Sequence, residues 1–297
     1  MSVTRFFSRS AVILFAMGLL MSSGCSSSKL ATSATERVNE GYAKAQKLYD
    51  KGNYEEAALV FESLIFTSRA TALEDDVLFF LAQSYYRSGQ YILSADMFTR
   101  LQQQISSTPY ARTAQFLLAT SYEKLSPHFE LDQQYTNKAI EQFSLYLELY
   151  PMVDSSKLAG DVETYRELLK INPKNQDYKQ NYAAATARFS RIDSLRYAEK
   201  AIPALREKLA KNTFFVARQY VQLKKYKAAV IFYDELIKRF PDTIYFKKAM
   251  AAKIDVLMTR KKWFDAGQTL DQYVQLFPEK EREMKGVREK IKQNFKH

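Results

Sequence analysis

Gly52-Asn-Tyr54-Glu-Glu-Ala57-Ala-Leu-Val-Phe61-Glu-Ser-Leu64 recurs as Gly89-Gln-Tyr91-Ile-Leu-Ser94-Ala-Asp-Met-Phe98-Thr-Arg-Leu101, 37 residues further on. Downstream the same beat returns with other side chains: Ala139, Phe143 and Tyr146 before Pro151; Ala229, Tyr233 and Leu236 before Pro241; Ala266, Leu270 and Tyr273 before Pro278. A small residue followed by large apolar residues four and seven positions later marks one face of an α-helix. The small residue admits a second helix at close range, and the proline beyond ends the helix. Upstream of each such helix runs another amphipathic stretch, with its own contact at Ala45, Ala82, Ala119, Ala217 and Ile254. Each unit is therefore a helical hairpin, which must stack on neighbours to bury its apolar face.

Five units in this register resemble the tetratricopeptide (TPR) repeat and predict an all-α fold, a TPR-type α-solenoid of about five helical hairpins. Two irregularities modify it. Ala119 and Ala139 are 20 residues apart where the other units have 12, which puts a loop around Ser126-Pro-His-Phe-Glu-Leu-Asp-Gln133 in unit three. Between units three and four the small residues are 90 apart, not 37. That gap carries one stripe at Leu158, Val162, Tyr165 and Leu169 and another at Tyr178, Tyr182, Ala185, Phe189 and Ile192, with Asn172-Pro173 between them. We read two inserted helices. The expected organisation is a signal peptide at 1–24, an acylated Cys and flexible tether at 25–38, units one to three at 39–151, an inserted helical segment at 152–198, and units four and five with a polar capping helix at 199–297.

The N-terminus reads as an address. Arg5 and Arg9 precede an uncharged run from Ala11 to Met21, too short for a membrane span of about 20 apolar residues. Ser22-Ser-Gly24-Cys25 comes next and resembles a bacterial lipobox, in which the peptidase cuts before a Cys that carries diacylglycerol. Ser22 departs from that pattern, which has an aliphatic residue there; the alternative is an ordinary secretory signal with an incidental Cys. The resemblance implies Cys25 as the lipid-attachment residue, with diacylglycerol and an N-acyl chain as the covalent additions and no other cofactor. Ser26 after the Cys, by similarity to lipoprotein sorting signals, implies the outer membrane. The small polar residues at 26–35 bury too little to offset their ordering entropy, so a flexible tether is expected.

Composition narrows the chemistry. Only 8 Gly and 7 Pro occur, too few for the turns of a β fold. One Cys and two His cannot build a zinc site, and neither a phosphate-binding glycine loop nor a nucleophile elbow is present. An enzyme is not expected; a glycosidase would need two carboxylates set into a cleft. The net charge of +11 falls to +9 without Arg5 and Arg9, with basic and acidic residues interspersed. This reads as solvated helix faces, with anionic headgroups or an acidic partner as the sharper alternative, and not as a nucleic-acid surface.

The first helix of each unit should present the residues three before, one after and four after its small contact. These are Tyr42, Gln46 and Tyr49; Phe79, Gln83 and Tyr86; Phe116, Thr120 and Glu123; Phe214, Arg218 and Val221; and Ala251, Asp255 and Met258. Aromatics with interleaved amides, confined to units one to three, suit an extended peptide: rings give contact area at low entropy cost and amides pair with backbone. Packing between neighbouring first helices is the alternative for Tyr42, Phe79 and Phe116. Arg206, Lys208, Lys211 and Arg218 form a basic run on which a carboxylate-bearing partner could dock, or simply a solvated face. His128 reads as an ordinary loop residue.

The order of these features resembles the BamD family of TPR lipoproteins, part of the outer-membrane β-barrel assembly (BAM) complex. The resemblance rests on Gly24-Cys25 with its Ser-rich continuation, Leu131-Asp-Gln-Gln-Tyr-Thr-Asn-Lys-Ala139, Leu205-Arg-Glu-Lys-Leu-Ala-Lys211 and Arg239-Phe-Pro-Asp-Thr243, and covers about residues 25–278. The segment from Met152 to Ala198 is longer than the family would have. The resemblance implies a non-catalytic scaffold anchored on the periplasmic face of the outer membrane. It also implies that the C-terminal half binds BamA and other BAM components. The N-terminal half would receive aromatic-ended targeting sequences of unfolded outer-membrane proteins. A TPR lipoprotein organising cell-wall synthesis or division fits the same residues.

Overall fold

The recurring positions are the core. In the computed structural model Ala45, Ala82, Ala119 and Ala217 are fully enclosed, Ile254 is 1% exposed, and no residue of the five small-large-large triplets exceeds 7%. The structure describes residues 26–105, 107–151 and 155–295, with backbone alone at 26–34 and 155. The expected signal peptide and Cys25 lie outside the described residues. Those residues form α-helices and one short 3-10 turn, joined by loops, so the fold is all-α and built from helical hairpins of the TPR type.

The chain divides into two compact units, one ending at Ala114 and the other beginning at Gln115. The first holds hairpins α1 (Ser26–Asp50) with α2 (Tyr54–Leu64) and α3 (Glu74–Arg87) with α4 (Tyr91–Gln104). Ala45, Ala57, Phe61, Leu64, Val77, Leu81 and Tyr85 form its core. Gly41 lies against it: a Cβ there would meet the end of the Leu64 side chain at 2.8 Å, so Leu64 would have to shift to admit one. Helix α1 already runs through residues 26–35, which corrects the expected flexible tether. Once a helix is nucleated by packing, each added turn costs little, and these residues include no breaker.

The second unit takes in most of α5 (Ala111–Leu125), then α6 (Gln134–Leu149), α7 (Ser155–Ile171), α8 (Gln176–Gln222), α9 (Tyr226–Arg239), α10 (Ile244–Thr259), α11 (Trp263–Leu276) and α12 (Glu281–Phe295). Unit three therefore packs with the helices C-terminal to it: Phe143 and Tyr146 of α6 share a core with Leu195, Ala198 and Leu205 of α8. The expected division at 151 is displaced accordingly. The boundary at 198 is also corrected. The second inserted helix and the first helix of unit four are one helix of 47 residues. Leu195, Ala198, Ala201, Leu205, Leu209, Thr213 and Ala217 continue its buried stripe without a break, so nothing stops it. Pro203, on the exposed side, is carried within the helix. Helix α12 closes on α11 through the buried Ile291, with Met284 and Val287 beside it.

Candidate partner-binding faces

On α1 and α3 the sequence-derived positions do come together. Tyr49 donates a hydrogen bond from its hydroxyl to the Gln83 side-chain oxygen, which joins the first helices of units one and two. Tyr42 lies edge-on to Phe61 (5.9 Å between centroids) and Phe80 (6.4 Å), and Tyr86 lies edge-on to Tyr91 (5.5 Å). Tyr42, Gln46, Tyr49, Gln83 and Tyr86 are half-buried, so their edges still reach solvent. Gln46 gives its amide N–H to Asp50 (2.9 Å), while its carbonyl oxygen is shielded and has no partner in the chain. An acceptor withdrawn from water without a donor costs about 1–3 kcal/mol.

Phe79 is corrected from groove to core. It is 4% exposed and stacks on Tyr110 at 3.9 Å and 9°. The ring that organises the face is its neighbour Phe80, which meets Tyr42, Tyr49 (5.4 Å), Phe61 and Tyr110. The repeat arithmetic missed Phe80 and Tyr110; the pair Phe80 and Gln83, three apart on one face, was the available signal. The same arithmetic missed the acidic rim. The Tyr42 hydroxyl is pushed up to about 12 by burial and then by Asp76, Asp50 and Asp75. Burial, and a hydrogen bond given to Asp76, also raise Tyr110. Carboxylates thus border Tyr42 and Tyr110, while Arg87 borders Tyr49 on the same face.

Unit three differs because α8 covers it. Phe116 packs among Phe143, Tyr146 and Tyr197, and the Tyr197 hydroxyl donates to Glu123 at 2.8 Å. Thr120 is 4% exposed and gives its hydroxyl to the Leu117 carbonyl (3.1 Å). A groove role for Thr120 is thereby corrected, since the inserted helix fills the side that the repeat pattern leaves open.

The basic run is mostly consumed within the chain. Arg206 makes a two-pronged ion pair with Asp242 (2.5 and 2.8 Å) and donates to the Arg239 carbonyl (2.9 Å). The hydrogen bond from Arg206 holds the Asp242 carboxyl below its ordinary value. Lys208 reaches Ser126 Oγ (2.8 Å), and Lys211 Nζ sits 3.9 Å from the centroid of Phe129. The last two fasten the unit-three loop to α8, with Asn212 donating to the Phe129 carbonyl (2.7 Å). Within the loop Gln133 bonds the carbonyls of His128 and Leu131, while His128 itself is exposed, 3.5 Å from Glu130. Of the four cations Arg218 is the most exposed, and its guanidinium lies 5.8 Å from the centroid of the Phe215 ring. Among the described residues no group of three or more His, Cys, Asp or Glu is arranged to hold a metal, and no helix is long and apolar enough to cross a membrane.

No curated protein matches the chain. Solved structures similar to it include the TPR2AB domain of yeast Sti1 in complex with pHSP90, at 15% identity over 87% of this chain and 99% of that one, with a TM-score of 0.31. The TPR domain of P58(IPK) aligns at 13% identity over 88% of this chain and 66% of its own, with a TM-score of 0.34. A thermophilic TPR protein of Thermus thermophilus aligns at 14% over 74% and 99%, with a TM-score of 0.29. Residues 175–262, which span α8, α9 and α10, match the model of a family described as YfiO, outer membrane lipoprotein.

Proposed function

We propose that this chain is a non-catalytic scaffold, lipid-anchored through Cys25 on the periplasmic face of the outer membrane. In this reading it holds BamA and other BAM components on its C-terminal helices, and receives targeting sequences of unfolded outer-membrane proteins on α1 and α3. The observation that carries the reading is the match of residues 175–262 to an outer membrane lipoprotein family. The half-buried aromatic face, with the Gln46 side-chain oxygen unpartnered beneath it, supports the peptide-receiving part. Two or more acyl chains make membrane anchoring stable, at about 0.8 kcal/mol per buried CH₂.

Capture of the tagged full-length chain from solubilised outer membrane tests the assignment. BamA in the eluate supports it; recovery of murein synthases without BamA would replace it by the cell-wall reading. Gln46→Leu tests the face itself. Losing this side-chain acceptor for a peptide N–H should weaken an aromatic-ended strand peptide about fivefold, on the order of 1 kcal/mol. Unchanged affinity would move the peptide site elsewhere.

A further inference from the structure

The turns inside the hairpins of units four and five are basic where those of units one and two are neutral. Lys224-Lys225 and Lys261-Lys262 take the places of Gly52-Asn53 and Gly89-Gln90. Lys224 and Lys261 hold φ at 58°, a left-handed conformation that glycine takes freely and that strains a residue with a Cβ. Strain kept at two equivalent positions argues that these side chains serve something besides the turn. The two turns lie side by side in the second compact unit: Lys224, Lys225, Lys227 and Arg260 border one cavity, with Ile231 at its edge.

This edge carries charge that the chain does not match. Lys224, Lys225, Lys227, Lys261 and Lys262 are exposed, and neither they nor Arg260 enter an ion pair among the described residues. Residues 223–231 contain no carboxylate, and residues 259–267 contain one, Asp265. At the other end of the same hairpins the cations are matched: Arg206 with Asp242, Arg239 with Glu235, Lys247 with Glu279. Large apolar side chains stand out among the unmatched cations, Leu223 at 63% exposure and Phe264 at 60%. Phe264 leads into a groove of about 540 Å³ between α11 and α12, where it meets the exposed Phe295 (6.3 Å between centroids) beside Trp263 and Lys292. Asp271 and Glu289 also border that groove, and Asp271 is already held by Arg288.

We infer that the turns of units four and five form a membrane contact, which docks on the headgroups of an anionic phospholipid surface. The five lysines and Arg260 meet lipid phosphates, while Leu223 and Phe264 enter the boundary between headgroups and acyl chains. Tyr226 and Trp263, half-buried beside the lysines, stand at headgroup level, where such amphipathic rings are favoured. Six unmatched cations spread over two turns suit a surface that presents many anions, and a fluid headgroup layer receives the interspersed apolar side chains without a shaped pocket. The contact adds to an anchor at Cys25 and leaves the helix faces free. It does not rest on the barrel-assembly reading.

Trp263 is the only tryptophan in the chain, so its emission reports this edge. The full-length chain is mixed with vesicles of phosphatidylcholine alone, or of equal parts phosphatidylcholine and phosphatidylglycerol, with brominated acyl chains. Flotation reports attachment by any route; quenching of Trp263 reports docking of the edge. Quenching should appear with phosphatidylglycerol, be lost in molar salt, and be lost when Lys224→Gln, Lys225→Gln, Lys261→Gln and Lys262→Gln are combined, all exposed substitutions that spare the core. Equal quenching by phosphatidylcholine alone, or quenching retained by the fourfold variant, would overturn the contact. A chain that floats with phosphatidylglycerol while Trp263 stays unquenched would also overturn it and leave the anchor standing. An emission shift evoked by soluble polyglutamate and not by phosphatidylglycerol would overturn the lipid in favour of an acidic protein. None of these readouts involves BamA, so failure here and failure to capture BamA are separate results.

Discussion

Gly52, Gly89, Lys224 and Lys261 each stand just past a first helix with φ between 58° and 82°. In each case that residue's N–H bonds the carbonyl three back and the next N–H bonds the carbonyl five back, as Gly52 to Tyr49 and Asn53 to Leu48. This left-handed closure costs a residue with a Cβ about 1 kcal/mol relative to Gly. Lys224→Gly and Lys261→Gly should therefore each stabilise the chain by about 1 kcal/mol in urea denaturation, and Gly52→Ala should cost about as much. A Cβ at Gly52 meets nothing within 4 Å, so the cost there is torsional alone. The two glycines made these turns legible in units one and two. The lysines carry no such signal, and only their spacing of 37 gives them away. Side-chain direction was less legible still: adjacent helical residues point about 100° apart, so the same arithmetic named Phe79, a core ring, while Phe80 beside it organises the face.

Helix α8 shows what periodicity conveys and what it hides. Both stripes of the inserted segment were readable, and Val162, Ala185 and Ile192 are buried as their spacing requires. The fusion was hidden because Asn and Pro mark only the break between α7 and α8, at Asn172-Pro173, where Asn175 caps α8 through the Tyr178 N–H at 3.1 Å. Burial along α8 is uneven. Between Gln176 and Arg191 only Ala185 is buried, whereas Leu195 to Ala217 supply eight buried residues. Backbone hydrogen bonds open more readily where few apolar contacts must break. Hydrogen exchange should therefore be fast over 176–191 and slow over 195–217 of the same helix; uniform protection would contradict this packing account. The unit-three loop was placed by the enlarged spacing alone, but its seat was not, because Phe129 finds Phe215 (4.9 Å between rings) only in three dimensions. Phe129, 8% exposed, should cost about 3 kcal/mol when replaced by Ala, read as a lower urea midpoint at unchanged slope.

For the whole molecule, the even mix of Lys, Arg, Asp and Glu along the chain read as solvated helix faces, and the folded structure sorts it further. Carboxylates gather around Tyr42 and Tyr110 in the first unit, while the second ties cations to carboxylates across helices. The two arrangements bound stability at opposite ends of the pH scale. Asp242, its carboxyl lowered by Arg206, contributes above its unfolded value near 3.8 and loses that contribution as pH falls through the folded value. Acid also removes carboxylate charge from a chain with 44 Lys and Arg against 33 Asp and Glu, so self-repulsion rises as the pair fails. At the alkaline end the sign reverses. Tyr42 keeps its proton to about 12 in the fold but loses it near 10 when unfolded. The unfolded chain thus binds fewer protons between these values, and stability falls as pH rises through the interval. Thermal melts from acid to alkaline pH should therefore trace a dome. Asp242→Asn should lower its centre and flatten the acid limb. Tyr42→Phe and Tyr110→Phe should leave the acid limb intact and flatten the alkaline one, because a phenyl ring holds the packing and has no proton to lose. An alkaline limb unchanged by both substitutions would mean that the aromatic face does not form around those hydroxyls, and the Gln46 acceptor set among them would lose its place in peptide recognition.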